Sequence, residues 1–205
     1  MFEHPAVPPS KERRNAVERA WANLIGPGPD LPARKRCDVI RAARSGWAGG
    51  ACPEGPLEEH VAHWVAVDAG GLSENHVELW EAAGLDRIRY LEVVGVVARL
   101  SNVDFYMRGI GAELPSLPDN PTGEATGEIH PDARLTNGWV PAMTNLRAPH
   151  VLDALPTEGA AFRDIHEPMY LPMAEIGDWD YIDVLNRPQI EFVAARASYL
   201  NECFY

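Results

Sequence analysis

The feature that most constrains the fold is the helix predicted at residues 87–109, whose core is apolar on nearly every face. Its centre reads LEVVGVVARL, and Asp86 stands where a helix N-cap is expected. A helix that is hydrophobic all round has to be covered by other elements on every side. No stretch of the chain sustains the alternation of apolar and polar residues that marks a strand. We therefore predict an all-α fold with this helix buried at its centre.

Several shorter helices are predicted around this central one. Ser10 is in position to cap a helix that begins at Lys11, and Pro56 suits the first position of another. Between them, the glycines of residues 45–55 predict a loop. The predicted helices besides the central one cover residues 11–25, 33–44, 56–70, 74–83 and 157–167 and run from 188 almost to the end.

Proline and glycine divide the chain into two helical parts. Residues 113–150 are rich in both and show no helical period, which predicts a long connection that wraps a surface or an interface. Residues 1–112 then form a first helical region. Residues 151–205 are interpreted as the start of a second helical unit, incomplete at its C-terminus.

Charge and composition exclude several classes of protein. The formal net charge of −12 argues against non-specific nucleic-acid binding, which needs a basic surface. Nine of the 18 basic residues lie among the first 50, which fits either solvated helix faces or a contact with a partner. No apolar run is long enough to cross a bilayer, and the first residues lack the apolar stretch of a secretory signal, so neither a membrane span nor a signal is predicted. Three widely spaced cysteines are not a disulfide framework, so a reduced, cytoplasmic protein is predicted.

Two segments of the chain, residues 90–106 and 189–205, echo one another. The aligned positions that matter for chemistry are Glu92 with Glu191 and Asp104 with Cys203. The agreement fits chance between two apolar helices. It also fits a repeated helical unit with cysteine chemistry only in the second copy.

Cys203 and Glu191 are the candidate catalytic residues. Asn201 can end one helix and cap another, which would put the Cys203 thiol in a first turn, where the thiolate forms easily. Glu191 lies on a largely apolar face, so it is either paired, with Arg187 or Arg196, or has its pKa raised by burial, as suits a proton shuttle. A straight helix would hold the two residues roughly 18 Å apart. An inert cysteine in a frayed tail is the alternative.

Histidines supply weaker candidates. His60 and His63 share a predicted helix face beside Glu59, but no third ligand follows at a metal-binding spacing, so neither a metal nor a cofactor is predicted. Residues 165–170 are polar and aromatic at a helix end and fit either a pocket lining or a surface turn.

The tail RPQIEFVAARASYLNECFY resembles the segment leading into the active site of alkylhydroperoxidase D-like (AhpD-like) proteins of the carboxymuconolactone decarboxylase family. That site reads as a Glu, eleven residues, then C-x-x-C, with a His four residues after the second Cys. Glu191 and Cys203 fall on the first two elements, and the sequence stops inside the motif. Residues 72–115 are similar to the later, cysteine-free helices of such a domain. The resemblance implies a helical AhpD-like bundle.

The resemblance also implies a thiol- or selenol-dependent alkylhydroperoxidase-like oxidoreductase, with a peroxide substrate, a dithiol reductant and a symmetric homo-oligomer. By carry-over, Cys203 is the resolving thiol and Glu191 a proton relay. The peroxide-attacking residue and the His have no position in this sequence, so the full cycle is not expected of it. A selenocysteine codon directly after Tyr205 is one hypothesis for the break. A fragment or a deliberate truncation fits equally well.

Two other functions stay open. A non-redox decarboxylase of the same family would use Glu92, Glu191 or histidines and would not need Cys203. A non-catalytic helical assembly or binding protein would instead present uncovered apolar surface at its incomplete end.

Overall fold

The structure is a computed structural model that describes residues 1–136, 138–143, 150–171, 175, 177–182 and 184–200. The helices are α1 (Lys11–Ile25), α2 (Ala33–Trp47), α3 (Leu57–Val67), α4 (Glu74–Ala82), α5 (Arg87–Gly109), α6 (Pro156–Met169) and α7 (Arg187–Leu200). Short 3₁₀ turns cover Ala69–Gly71 and His150–Ala154, and the two strands are β1 (Arg134–Leu135) and β2 (Pro141–Ala142). The predicted all-α class is confirmed, since most of the described chain is helical.

The predicted caps account for several helix starts. The Ser10 side chain accepts a hydrogen bond from the Arg13 amide at 3.2 Å. The Asp86 carboxylate accepts from the amides of Ile88 and Arg89 at 2.9 and 3.0 Å. These bonds satisfy amides that have no partner inside a helix, which explains why α1 and α5 begin where the sequence predicts.

The loop predicted at residues 45–55 is wrong at its start, because α2 continues to Trp47. Gly46 lies inside the helix and packs against α3, where an added Cβ would come within 2.9 Å of the Val67 Cγ1 atom. Close packing of one helix on the other therefore outweighs the low helix propensity of glycine at this position. The connection differs from its prediction too, since it contains a short antiparallel ribbon that pairs Arg134 with Ala142.

Helix α5 is the centre of the core, as its apolar composition predicts. Contacts with α1, α2, α3 and α6 surround it. Its buried apolar side chains are Tyr90, Leu91, Val93, Val96, Val97, Leu100, Val103 and Met107. Gly95 allows the segment before α6 to approach closely, because a Cβ there would lie 3.0 Å from the Leu152 Cδ2 atom.

The chain forms two compact units, Met1–Met169 and Tyr170–Tyr205. Helix α6 lies beyond the connection in sequence, yet it packs against α1 and α5 within the first unit. The second unit contains α7. In the described part of the chain, every helix is too short or too polar to cross a bilayer.

His166, in the last turn of α6, is expected to make the stability of the first unit depend on pH. Its ring stacks on Phe162 at 5.4 Å, and burial lowers the pKa of the imidazole, with Glu167 acting in the opposite direction. The unfolded chain takes up this proton near the ordinary value of about 6.5 and the folded chain only at lower pH. The unfolded chain therefore binds more protons within that window, so stability is lost as the pH falls through it.

We accordingly expect the free energy of unfolding to decrease between about pH 6.5 and the lower folded-state pKa. The variant His166→Gln cannot take up a proton and should show a shallower dependence. Urea unfolding followed by circular dichroism, at constant ionic strength and several pH values, measures both slopes. Equal slopes in the two proteins would contradict this assignment.

Candidate functional site

The structure describes one of the two predicted catalytic residues. Cys203 lies outside the described residues, so its distance from Glu191 stays a prediction. Glu191 lies in the second turn of α7, and 39% of its side chain is exposed. Its Oε1 atom accepts a hydrogen bond from Arg187 Nε at 2.8 Å, whereas Arg196 lies over the Tyr199 ring. Of the two partners left open by the sequence, Arg187 is therefore the one used.

Arg187 is buried, with 5% of its surface exposed. Its Nη1 atom donates to the carbonyl oxygens of Glu175 and Asp178, at 3.1 and 3.4 Å. The guanidinium carbon also lies 5.1 Å from the centre of the Trp179 ring. A loop that precedes α7 in sequence thus holds the guanidinium that binds Glu191.

The large apolar side chains of α7 do not surround Glu191. Phe192 and Tyr199 are 74% and 75% exposed, and Val193 and Leu200 are more than half exposed. The expectation that Glu191 sits among apolar neighbours is therefore only partly met, since Phe192 turns to solvent. Arg187 provides the dominant polar contact of this carboxylate.

Four charged side chains of the first unit, not grouped by any sequence pattern, lie together in the core. They are named the buried charge cluster: Arg36, Glu92, Arg99 and Glu158. All four are at most 1% exposed. Arg36 Nη1 binds Glu92 Oε1 at 2.9 Å and Glu158 Oε1 at 2.8 Å. Arg99 forms an ion pair with the other oxygen of Glu158. The cluster is neutral overall and joins α2, α5 and α6.

Backbone groups complete the coordination of Glu92. Its Oε2 atom accepts hydrogen bonds from the amides of Asp30 and Leu31, at 2.6 and 2.9 Å. Burial raises the pKa of the Glu92 carboxyl, while Arg36 and these amides oppose that shift. Burial also lowers the pKa of Arg99 to about 10. With no exposed surface and both oxygens bound, Glu92 serves to join the helices and cannot reach a substrate.

Asp104, the counterpart of Cys203 in the internal echo, is likewise bound in the core. It is fully buried and forms two hydrogen bonds of 2.7 Å with the Nε and Nη2 atoms of Arg44. Arg44 also donates to the Pro115 carbonyl oxygen and lies over the Trp21 ring. Both echo positions of α5 therefore carry structural ion pairs. The sequence signal that could have predicted these ion pairs is the presence of acidic residues at buried positions of a central helix, because a buried charge needs a partner.

Cys52 and His60 also lie together, although the sequence did not connect them. The Cys52 Sγ atom is 3.2 Å from His60 Nδ1, and the Trp64 indole donates to His60 Nε2 at 3.1 Å. An indole N–H can only donate, so Nε2 is the acceptor and the proton of the neutral ring sits on Nδ1, facing the sulfur. Such a ring cannot remove the proton of Cys52.

The electrostatics of Cys52 agree with that geometry. Burial raises the pKa of the Cys52 thiol, an effect that the Trp64 indole partly offsets. Cys52 is therefore protonated at neutral pH. His60 presents an N–H group to the sulfur and not a lone pair, so the two residues are not arranged as a nucleophile with its general base. Among the described residues, no three His, Cys, Asp or Glu side chains are grouped so that they could hold a metal ion.

Comparisons with protein-family models, with curated proteins and with solved structures find no match to this chain. The resemblance carried by the tail and by residues 72–115 consequently stays a prediction.

Proposed function

We propose that this sequence carries the resolving part, and not the full cycle, of a thiol- or selenol-dependent oxidoreductase of the AhpD-like kind, in which Cys203 is the resolving thiol and Glu191 relays its proton. The observation that supports this proposal is the contrast between the two echoed glutamates. Glu191 is half-buried and bound through one oxygen, whereas Glu92 is enclosed in the buried charge cluster. A carboxylate that exchanges protons needs access to the group it serves.

The proposed step is the resolution of an oxidised residue by Cys203. A hydroperoxide first oxidises a partner cysteine or selenocysteine to its sulfenic or selenenic acid. The Cys203 sulfur then attacks the oxidised atom, a bond to sulfur forms, and hydroxide leaves. Because α7 continues to Leu200, Glu191 reaches Cys203 only if the chain turns back near Asn201 or if the two residues come from different subunits. In that arrangement Glu191 takes the proton of the Cys203 thiol and returns it to the leaving hydroxide, which departs as water. A dithiol reductant would later reduce the disulfide or selenenyl sulfide.

A decarboxylase that uses Glu92 receives no support from the geometry. Both oxygens of Glu92 are bound and its exposed surface is 0%. Glu191 would have to carry such an activity, so the two enzymatic readings can be separated by their dependence on Cys203.

A binding or assembly function has one specific observation in its favour. The second unit exposes several large apolar side chains, among them Trp179 at 73%, Ile182 at 71% and Val184 at 80%. Exposed apolar side chains that form one contiguous patch would suit a contact with a partner or with a second copy of the chain. This second candidate is compatible with the first, because a helical oxidoreductase can also assemble.

The oxidoreductase proposal predicts that Glu191 governs the reactivity of Cys203. With glutathione disulfide as the probe, Cys203 attacks a sulfur, a mixed disulfide forms and glutathione leaves with the relayed proton. We expect Glu191→Gln to slow this reaction by about 100-fold at neutral pH, the low end of general acid–base contributions. Mass spectrometry of the Cys203 peptide gives the rate, with the buried Cys37 as an internal reference. Glu78→Gln, an exposed residue of α4, is the matched control.

The outcomes separate the candidate functions. An unchanged Cys203 rate in Glu191→Gln would overturn the oxidoreductase proposal. A catalytic activity that survives Cys203→Ser but is lost in Glu191→Gln would indicate the decarboxylase instead. Defined oligomers in light scattering, with neither reaction, would favour the assembly protein.

A further inference from the structure

The position of Arg187 is not explained by the stability of α7. It is the first residue of that helix, where the helix dipole favours acids and disfavours cations. On a helix, an i, i+4 ion pair stabilises more when the acid precedes the cation. Here the order is reversed, because Arg187 lies one turn before Glu191. A buried guanidinium at this position therefore needs another reason.

Residues that precede α7 hold the Arg187 guanidinium through contacts that do not involve Glu191. Two carbonyl oxygens, of Glu175 and Asp178, accept from Nη1, and the Trp179 ring lies against one face. Only 6% of the Arg187 side chain is exposed. Its rotamer is thus set by contacts other than the ion pair, so the Nε atom is presented to Glu191 in one place.

The consequence for Glu191 is that one carboxylate oxygen is anchored. Arg187 Nε binds Oε1 at 2.8 Å, and no described residue binds Oε2. A glutamate side chain that would otherwise sample several rotamers is held with one oxygen engaged and the other unbound by any described residue. A carboxylate held in this way suits a proton relay, whose reacting oxygen has to be kept in a fixed position.

We propose that Arg187 is the positioning residue of Glu191 and that the carbonyl groups of Glu175 and Asp178, with the Trp179 ring, set its geometry. The inference rests on the proposed function, in which Glu191 relays the proton of Cys203. Lysine cannot replace this arginine fully, because an ammonium group is a point charge that lacks the planar fork needed to bind carbonyls and carboxylate together.

The test is a double-mutant cycle read by the reaction of Cys203 with glutathione disulfide in the full chain. Arg187→Met should slow the reaction by about tenfold, as expected for a displaced catalytic group. Arg187→Lys should recover part of that loss. In the Glu191→Gln background, Arg187→Met should change the rate no further. Arg196→Met, which removes the other guanidinium of α7, is the matched control and should leave the rate unchanged.

A second variant and an NMR measurement test the role of Arg187 independently of Arg187→Met kinetics. If Arg187→Met fails to fold, as judged by circular dichroism, Trp179→Leu removes only the exposed ring under the guanidinium and should slow the reaction in the same direction. The ¹³C NMR signal of the Glu191 side-chain carboxyl should move in Arg187→Met and stay in place in Arg196→Met.

The failure of this inference can be told from failure of the proposed function. An equal effect of Arg187→Met with and without Glu191 would overturn the positioning role, as would a Glu191 signal that ignores Arg187. A normal Cys203 rate in Glu191→Gln would overturn the proposed function itself. In that case, a shifted Glu191 signal would still support positioning of the carboxylate by Arg187.

Discussion

Replacing Arg36 by leucine is expected to lower the free energy of unfolding by about 3–5 kcal/mol, the range for breaking a buried ion pair by removing one partner. Arg36 is fully buried and one of its nitrogens binds both Glu92 and Glu158. Without it, two carboxylates stay in the core with one cation fewer, and leucine cannot replace the lost hydrogen bonds. Urea unfolding followed by circular dichroism measures the loss.

The control for this substitution is Arg41→Leu in the same helix. Arg41 pairs with Asp38, and 58% of its side chain is exposed. Surface pairs contribute about 0–1 kcal/mol, so this variant should remain close to the parent in stability. If both variants lost the same free energy, the charge cluster would not be the reason for the effect of Arg36→Leu.

Replacing Gly28 by alanine is expected to cost about 1–3 kcal/mol, the usual range for overpacking a buried site. A Cβ atom at this position would overlap the Glu92 Oε1 and Arg36 Nη1 atoms. These are ends of long side chains, but each is buried and held by further bonds, so neither can move without weakening the ion pair. The Gly28 backbone cannot easily retreat, because its amide bonds to the Leu31 carbonyl oxygen at 2.9 Å.

Gly109→Ala is the matched control for that prediction. Gly109 is the last residue of α5, and a Cβ there would have no heavy atom within 4 Å. Alanine should be neutral or stabilise the helix by up to about 1 kcal/mol. A second check is non-additivity: since Gly28 and Arg36 share one contact, Gly28→Ala should cost less in the Arg36→Leu background. Fully additive losses would contradict the overlap described above.

The local rules of helix formation were sufficient for much of the fold. The apolar residues of α5 and the caps at Ser10 and Asp86 predicted where helices begin and which one is buried. Such features are readable from sequence because they involve residues within one or two turns of each other. The i, i+4 pairing of Arg187 with Glu191 belongs to the same class.

Features that depend on distant residues were not readable in this way. Residues 45–47 join α2, where Gly46 packs against α3, and α6 joins the first unit, where Glu158 meets Arg36 and Arg99. The residues next to each of these positions in the sequence do not specify its partner. The partners meet only when whole helices pack against each other.

Some features of the candidate site could also be predicted from the sequence, whereas others depended on the tertiary structure. The resemblance to the AhpD-like motif singled out Glu191 and Cys203, and position along the predicted helix identified Arg187 as one of two partners for the glutamate. The tertiary structure decided that Glu92 and Asp104, the echoes of those two residues, are bound in the core. It also decided that Arg187 is anchored by a loop rather than by its helix. Periodicity records which face of a helix a residue occupies, but the partner of a buried charge is set by long-range packing, because burying that charge is tolerable only where an opposite charge arrives.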